Sequence, residues 1–346
     1  MLLSLNHGER EAREETHMSF VVLGATEIER LLPMRECIDV MARAFVDLER
    51  GALVQPLRTL YVPPGLRGGT MWMPAYRSRP EPMFGTKLLF VLQDNPSRGL
   101  DSHQGQVILA DGETGQLRAL LDASAVTAIR TAAVSALATR LLAREDARVL
   151  AIVGTGVQAR KHLESIPLVR SISRVLIAGR TAELSQRFVS EVSKGSDVSL
   201  EAAENTEAAV RVADIVVTAT SSPTPIIERE WLRPGAHVNA VGASRPIHSE
   251  IDTRTVADAV LFTDRRESLE AEAGDYREAL LEGAIDGPEF AGELGELLTG
   301  TRPGRTTDTQ LTVFRSLGLA VEDLAAAEYV FAKALETGAG VTVAAP

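Results

Sequence analysis

The sequence predicts an α/β protein of two domains, one built on a parallel sheet covered by helices and the other an α+β domain with an antiparallel sheet. The chain has 346 residues, more than a single core usually needs. After residue 147, short apolar strands alternate with helices, which is typical of a parallel sheet buried on both faces. Between residues 54 and 122, short apolar runs are separated by Gly, Pro, Asn and Asp, which indicates antiparallel strands.

The first half begins with helical spacing and then changes to strands. Apolar residues recur at helical intervals from residue 26 to residue 48, and Pro33 divides this stretch into two helices. Residues 111–115 (Asp-Gly-Glu-Thr-Gly) separate two apolar runs and predict the loop of a β-hairpin. A long apolar helix is expected to begin after Ser124.

The second half predicts strands at 148–153, 174–178, 198–202, 213–219, 237–241 and 259–262, with helices at 157–168 and 182–192 between the first ones. A final alanine-rich helix at 316–335 is too apolar for a solvated position, so we expect it to pack back on the first domain. The predicted division is a flexible N-terminal extension at 1–17, a first domain at 18–128 together with 320–346, and a second domain at 129–319.

Composition argues against several classes of protein. Lys and Arg number 36 against 47 Asp and Glu, a net charge of −11, so no nucleic-acid partner is expected. A single cysteine, Cys37, excludes a disulfide framework and a multi-cysteine metal centre, and the scattered histidines predict no metal site. No apolar run reaches the roughly 18–20 residues that cross a bilayer, and no secretory signal is visible. We therefore expect no membrane association and a cytoplasmic location.

A glycine-rich string follows the strand at 148–153 directly and opens the next helix. In a βαβ unit this arrangement indicates a Rossmann dinucleotide-binding domain, because the first glycine permits a tight turn and the second lets a pyrophosphate approach the backbone. The free N–H groups of the helix N-terminus then bind the anion. The alternative is a glycine-rich turn that binds nothing. The string is Gly154, Thr155, Gly156, Val157, Gln158 and Ala159.

The end of the second strand of this unit predicts the cofactor. An NAD site usually carries Asp or Glu there, to accept a hydrogen bond from the ribose 2′-hydroxyl. This chain has Arg180 and Thr181 instead, whose donors suit a 2′-phosphate, so NADPH is expected rather than NADH. The alternative is that Arg180 is simply a solvated residue at a strand end.

Small and hydroxyl residues follow two further strands of the predicted parallel sheet. Ala219 and Thr220 follow one strand, and Val241 and Gly242 follow the next. Because ligands bind at the carboxyl ends of strands in open α/β sheets, we expect these four residues to contact the nicotinamide end of the cofactor.

Three basic residues of the first half, Arg58, Lys87 and Arg130, lie in apolar or extended surroundings. A buried cation must be paired, and a substrate carboxylate is one natural partner. The sequence leaves open whether the partner is instead an internal carboxylate, or whether these side chains are exposed. Asp264 and Glu272 are interpreted as solvated or helix-capping residues.

Several segments together resemble the ornithine cyclodeaminase/mu-crystallin family, over nearly everything after residue 18. They are 55–58 (QPLR), 73–76 (MPAY), 86–87 (TK), 102–104 (SHQ), 129–136 (IRTAAVSA), 154–159 (GTGVQA), 238–246 (VNAVGASRP), 293–296 (ELGE) and 314–318 (FRSLG). The resemblance implies a homodimer in which residues 18–128 with 320–346 form a dimerisation and substrate domain and residues 129–319 bind NADP. It also implies that Arg58, Lys87 and Arg130 bind a substrate carboxylate, and that Ser316 contacts the cofactor.

The family divides by chemistry. Its cyclodeaminases carry a Glu just before the Met-Pro pair and an Asp shortly after the Val-Gly pair, whereas this chain has Met71 and Ser244 at those positions. A deamination needs a group that moves protons at the α-nitrogen, so the loss of both carboxylates argues against it. The resemblance therefore favours the branch that reduces cyclic ketimines.

These observations predict an NAD(P)H-dependent oxidoreductase that reduces a cyclic ketimine or 2-imino carboxylate, such as pyrroline-2-carboxylate or piperideine-2-carboxylate, to an L-amino acid. Arg58 and Arg130 would hold the carboxylate, Lys87 would help keep the imine nitrogen protonated, and Ser244 and Thr131 would supply hydroxyls beside the ring and the imine nitrogen. The alternatives are a cyclodeaminase-type lyase with bound NAD, an alanine dehydrogenase-like enzyme, and a non-catalytic protein that binds NADPH and a small ligand.

Overall fold

The computed structural model describes residues 19–193, 198–287 and 292–344, and their strands form two sheets. The strands are β1 (Ser19–Leu23), β2 (Leu53–Val54), β3 (Thr59–Tyr61), β4 (Gly68–Arg77), β5 (Met83–Leu92), β6 (His103–Asp111), β7 (Leu117–Asp122), β8 (Val149–Val153), β9 (Arg174–Ala178), β10 (Ser199–Ala202), β11 (Ile215–Thr218), β12 (His237–Ala240), β13 (Val260–Thr263), β14 (Gly292–Glu293), β15 (Thr312–Arg315) and β16 (Val341–Ala344). The helices are α1 (Ala25–Leu31), α2 (Met34–Glu49), α3 (Ala123–Leu142), α4 (Val157–Ser165), α5 (Ala182–Val192), α6 (Thr206–Val212), α7 (Thr253–Asp258), α8 (Arg266–Glu272), α9 (Gly274–Leu281), α10 (Leu294–Thr299) and α11 (Ala320–Thr337). The extension predicted at 1–17 lies outside the described residues.

The first sheet has the order β16-β1-β7-β6-β5-β4-β2, with β3 also paired to β4. Its pairings are antiparallel except for that of β1 with β7, and β6 and β7 form the predicted hairpin. Helices α3 and α11 pack on one face, where Lys87 lies beside buried apolar residues such as Leu89. The opposite face carries Trp72, Phe84 and Phe90, whose exposed fractions are 51%, 49% and 48%. This outer face is therefore an apolar sheet surface that nothing in the described chain covers.

The last helix begins later than the sequence predicts. Residues 312–315 form a buried strand, β15, between β12 and β13, and α11 begins at Ala320 rather than at residue 316. The predicted start was wrong because Gly318, with φ +77°, lies outside the helical region of backbone conformation, and strand β15 was not predicted. As a consequence, Ser316 lies at the carboxyl end of a strand and not inside a helix.

The C-terminal elements return to the first sheet. Helix α11 packs on β4, β5 and β6, and β16 pairs with β1. The predicted boundary at residue 128 falls inside the continuous helix α3, which contacts α2 and β6 on one side and α4 and β12 on the other. The division into 18–128 with 320–346 and 129–319 stays a prediction.

Helix α3 is the only one in the described ranges that is long and apolar enough to cross a membrane by length and composition, and 78% of that segment is buried inside the protein. Its apolar residues occur on all sides because it is packed between elements of both sheets. Internal burial thus accounts for its composition.

The second sheet is entirely parallel, with the order β10-β9-β8-β11-β12-β15-β13-β14. From β8 the chain proceeds outward to β9 and β10 on one side, and then to β11 and β12 on the other. The crevice at the carboxyl ends of β8 and β11 is therefore the switch point at which doubly wound sheets bind ligands. The predicted fold class, an α/β protein with a Rossmann domain and an α+β domain, is confirmed.

Candidate functional site

The glycine-rich turn is built at this switch point. Gly154 ends β8 with φ +131°, and a β-carbon there would overlap the carbonyl oxygen of Ala219. Only glycine combines that backbone conformation with such close packing of β8 against the end of β11. Thr155, the next residue, is half-buried, with its methyl group facing Gly179 at the end of β9.

The residues that follow leave an anion-binding position open. Gly156 is the N-cap of α4 and makes no side-chain cap, and a β-carbon at this position would meet no atom within 4 Å. Val157 is exposed, and the buried Oε1 of Gln158 has no hydrogen-bond partner among the described residues. Free N–H groups at a helix N-terminus beside a glycine suit a phosphate, so the residues present fit the pyrophosphate of a dinucleotide.

Arg180 and Thr181 follow β9, at the next strand end. The Arg180 side chain is exposed and has no ion pair or hydrogen bond with the described residues. Thr181 is the N-cap of α5, and its Oγ1 accepts a hydrogen bond from the Leu184 N–H at 3.3 Å. The guanidinium is therefore free for an anionic group, whereas the threonine hydroxyl already caps a helix.

The ends of β11 and β12 are held together by a residue that the sequence analysis did not single out. Thr220 and Gly242 both donate backbone N–H groups to the carboxylate of Glu250, at 2.7 and 2.6 Å. Ala219 and Val241 precede them and continue the main-chain pairing of β8 with β11 and of β11 with β12. All four residues assigned to the nicotinamide end thus lie along one edge of the sheet.

The same edge continues to β15. The Ser316 N–H donates to the Ala240 carbonyl at the end of β12 at 2.9 Å. The buried Arg315 donates to the carbonyls of Ala240 and Ala243 and pairs with Asp275 at 2.9 Å. Main-chain and side-chain contacts therefore run without a break from the glycine-rich turn to the segment at 316–319.

The three cations of the first half converge on residues 317–323, which continue from this segment into α11. Arg58 donates to the carbonyl oxygens of Leu317 and Gly318 at 2.8 and 2.6 Å. A β-carbon on Gly318, which has φ +77°, would overlap the Arg130 guanidinium. Lys87 and Arg130 contact the two oxygens of a single carboxylate, Asp323 near the start of α11.

All three cations are paired with internal carboxylates in this structure. Lys87 Nζ lies 2.6 Å from Asp323 Oδ2, and Arg130 lies 2.9 Å from Asp323 Oδ1 and 2.7 Å from Glu322 Oε2. Arg58 makes two contacts of 2.8 Å with Glu272. The sequence left open whether these cations bind a substrate, pair with internal carboxylates or are exposed. In the structure they pair with internal carboxylates.

Burial perturbs the titration of this cluster. It lowers the pKa of Lys87 to about 8, against the opposing attraction of Asp323, and raises the pKa of Glu322 to about 8, against the opposing Arg130. Burial also acts to raise the pKa of Asp323, but the nearby Arg130 and Lys87 outweigh it, so that pKa is lowered. Asp323 is therefore the permanent anion of the cluster, and Lys87 and Glu322 are the groups that titrate near neutral pH.

Arg58 and Glu272 line a small cavity, about 10 Å³, between the first sheet and α8. Gln55, Met73 and Gly318 also contribute to its wall. That volume is about enough for a single water molecule. A molecule larger than water would fit at this cavity only if its walls separated or the Glu272 side chain moved.

Two interpretations made from the sequence were wrong. Asp264 is buried and accepts hydrogen bonds from the N–H groups of Leu317 and Gly318, and Glu272 is the partner of Arg58. Neither is a solvated or capping residue, because both bind groups brought to them from distant parts of the chain. Glu322 and Asp323 were not predicted as site residues, although two adjacent acids in an alanine-rich helix are a signal that could have identified them.

Two further predicted residues, Thr131 and Ser244, make no side-chain hydrogen bond with the described residues. Thr131 is buried on α3 next to Arg130, and Ser244 is half-buried in the loop after β12. At the first position where a cyclodeaminase would carry Glu, the Met71 sulfur accepts a weak hydrogen bond from Arg58 at 3.8 Å. An apolar thioether thus lies where the lyase chemistry requires a carboxylate.

Comparison with known proteins identifies the family. Residues 18–338 match the model of the ornithine cyclodeaminase/mu-crystallin family. The chain belongs to this family. It is 42% identical to the ketimine reductase mu-crystallin of Mus musculus over 281 residues, which are 81% of this chain and 85% of that protein.

Solved structures of the family are similar over almost the whole chain. One is the Thermococcus litoralis Delta(1)-pyrroline-2-carboxylate reductase in complex with NADH and L-proline, with a TM-score of 0.90, 33% identity, and coverage of 94% of this chain and 100% of that one. Another is an archaeal alanine dehydrogenase dimer with bound NAD, with a TM-score of 0.88, 30% identity, and coverage of 94% and 99%.

The shared carboxylate predicts the stability of the cluster. Asp323→Asn leaves Lys87 and Arg130 without their common charged partner, and breaking a buried pair in this way costs about 3–5 kcal/mol. We expect a clearly lower midpoint in urea unfolding. Glu336→Gln, which removes the partner of Lys333 at the exposed end of the same helix, is the control and should leave the midpoint almost unchanged. Equal midpoints for Asp323→Asn and the unmodified protein would contradict the ion network.

Proposed function

We propose that this protein is an NADPH-dependent reductase of cyclic ketimine carboxylates, of the pyrroline-2-carboxylate or piperideine-2-carboxylate type, that forms L-amino acids. The proposal rests on the carboxyl edge of the second sheet. Continuous contacts along this edge join the glycine-rich turn to the segment at 317–323, on which Arg58, Lys87 and Arg130 converge. The family relatives include enzymes named as reductases of such substrates. The absence of carboxylates at Met71 and Ser244 separates the chain from the lyases of the family.

The charge of the cluster suits a substrate carboxylate. With its pKa raised to about 8, Glu322 is mostly protonated at pH 7. Arg58 is paired with Glu272, Lys87 and Arg130 share Asp323, and the buried Asp264 also attracts Arg130. A substrate carboxylate that enters beside Arg58 would compete with Glu272 for this guanidinium, and bidentate contact with it would orient the substrate.

Reduction of a C=N bond requires a hydride at carbon and a proton at nitrogen, and the bound nicotinamide supplies the hydride. In the proposed mechanism, Arg58 and Arg130 hold the carboxylate and thereby fix the position of the adjacent imine carbon. The Lys87 ammonium, whose pKa is near 8, keeps the imine nitrogen protonated. Thr131, next to Arg130 on α3, and Ser244, in the loop after β12, are proposed to position the ring with their hydroxyl groups.

An assay with defined substrates tests the function. We expect net NADPH oxidation at 340 nm with pyrroline-2-carboxylate and piperideine-2-carboxylate. Ammonia release from ornithine without net cofactor change would instead indicate a cyclodeaminase, and activity confined to pyruvate with ammonia an alanine dehydrogenase. Quenching of NADPH fluorescence without any turnover would indicate a binding protein, and any of these three outcomes would overturn the proposal.

Arg180 is proposed to select NADPH by binding its 2′-phosphate. In Arg180→Asp, the ratio of kcat/KM for NADPH to kcat/KM for NADH should fall by at least about tenfold to hundredfold, because a charge-assisted hydrogen bond contributes roughly 1.5–3 kcal/mol. The exposed Arg187 on α5, whose partner is Glu191, provides the control substitution Arg187→Asp. An unchanged ratio in Arg180→Asp would show that another residue selects the cofactor.

Protonation of Lys87 predicts the pH profile. The ammonium is present below its pKa of about 8 and is lost above it, so kcat/KM for the imine should fall as pH rises from 8 to 9.5. The Kd of NADPH, measured over the same range, should stay constant and serves as the control. A kcat/KM that is flat up to pH 9.5 would exclude Lys87 as the proton-holding group.

We also propose a homodimer formed through the outer face of the first sheet, and a cytoplasmic location. Trp72, Phe84 and Phe90 on this face are half-exposed, and a related alanine dehydrogenase is described as a dimer. Light scattering should give twice the mass of the chain. Phe90→Glu should yield a monomer, and the equally apolar but distant Leu281→Glu should not. A monomeric unmodified protein would contradict the assembly.

A further inference from the structure

Glu250 is a fully buried carboxylate that forms no ion pair with any described residue. It instead accepts four hydrogen bonds from neutral donors. These are Thr218 Oγ1 at 2.8 Å, Thr220 N at 2.7 Å, Thr220 Oγ1 at 2.7 Å and Gly242 N at 2.6 Å. Of the other buried carboxylates of this edge, Asp275 and Asp323 contact cations directly, whereas Asp264 accepts hydrogen bonds from two backbone N–H groups. Glu250 is thus an uncompensated negative charge at the carboxyl edge of the second sheet.

Its four donors all belong to the ends of β11 and β12. Thr220 and Gly242 are packed so closely that a β-carbon on Gly242 would overlap both the Thr220 backbone and the Glu250 carboxylate. The backbone N–H groups of both residues are already used by Glu250, so they are not available to a ligand. The carboxylate therefore determines how these two strand ends lie relative to one another.

A buried charge without a counter-ion lowers the stability of the fold. Neutral groups would be enough if the only role of this residue were to join the ends of β11 and β12. The location suggests what the charge achieves. Thr220 and Gly242 are the residues assigned to the nicotinamide end of the cofactor, and a nicotinamide ring becomes cationic when it gives up its hydride. A fixed negative charge behind that position stabilises the cationic ring over the neutral one.

We propose that Glu250 is a positioning residue that aligns the ends of β11 and β12 and, through its uncompensated charge, favours the oxidised over the reduced cofactor. This inference rests on the proposed function, because it requires that a nicotinamide binds at this edge. Glu250 lies outside the cation cluster. It would promote hydride release by lowering the energy of the state in which the nicotinamide ring is positively charged.

The experiment measures Kd for NADP⁺ and for NADPH separately. In Glu250→Gln we expect the Kd of NADP⁺ to rise about tenfold more than that of NADPH, because one full charge has been removed. Asp214→Asn is the control for the loss of a carboxylate far from the cofactor, since Asp214 lies buried at the opposite edge of the same sheet, where it accepts from the N–H groups of Arg148 and Val149 and pairs with Arg144 and Arg233. The ratio of the two Kd values should not change in that variant.

A second variant keeps the test decisive if Glu250→Gln fails to fold. Thr218→Val retains the charge and removes one donor that stabilises it, so its ratio should move in the opposite direction, toward tighter relative binding of NADP⁺. Equal changes in both Kd values for Glu250→Gln, or an unchanged ratio in Thr218→Val, would overturn the inference and leave Glu250 with a structural role only. Failure of the unmodified protein to bind either nucleotide would refute the proposed function itself.

Discussion

The site depends on one carboxylate, Asp323, which binds Lys87 from β5 and Arg130 from α3 at the same time. Three elements that are far apart in the chain are fixed by this arrangement, because neither cation could remain buried without a charged partner. Arg130 in turn occupies the space next to Gly318, where any larger residue would overlap it. Ion pairs as well as apolar packing therefore fix the position of the first sheet relative to the edge of the second sheet.

The second sheet contributes a different kind of constraint, which is close main-chain packing at its carboxyl edge. Gly154 against Ala219, and Gly242 against Thr220, bring neighbouring strand ends into contact that side chains would prevent. Arg315 and Glu250 then tie the same edge with buried charges of opposite sign. The result is an edge whose donors and charges are already held by internal contacts, and such preorganisation favours electrostatic stabilisation of a ligand.

Much of this could be predicted from local patterns. The strand–helix alternation, the hairpin at 111–115 and the glycine-rich string depend on nearest neighbours, and each was predicted correctly from residue types and spacing. The start of α11 and the strand β15 were not, because the left-handed backbone at Gly318 and the pairing of residues 312–315 with β12 and β13 are features of the folded chain. Glu272 and Asp264 were misinterpreted for a similar reason, since their partners lie 214 and 53 residues away.

The sequence by itself determined the family, the fold class and the kinds of group at the site, since these follow from motifs that are contiguous in the chain. Only the tertiary structure decided which charges meet. Whether Arg58, Lys87 and Arg130 are solvated, paired internally or open depends on the packing of α8 and α11 against the first sheet, and burial there also moves the pKa values of Lys87 and Glu322 toward neutrality. Pairing and desolvation are properties of side chains brought together in space, and no local pattern of residues contains them.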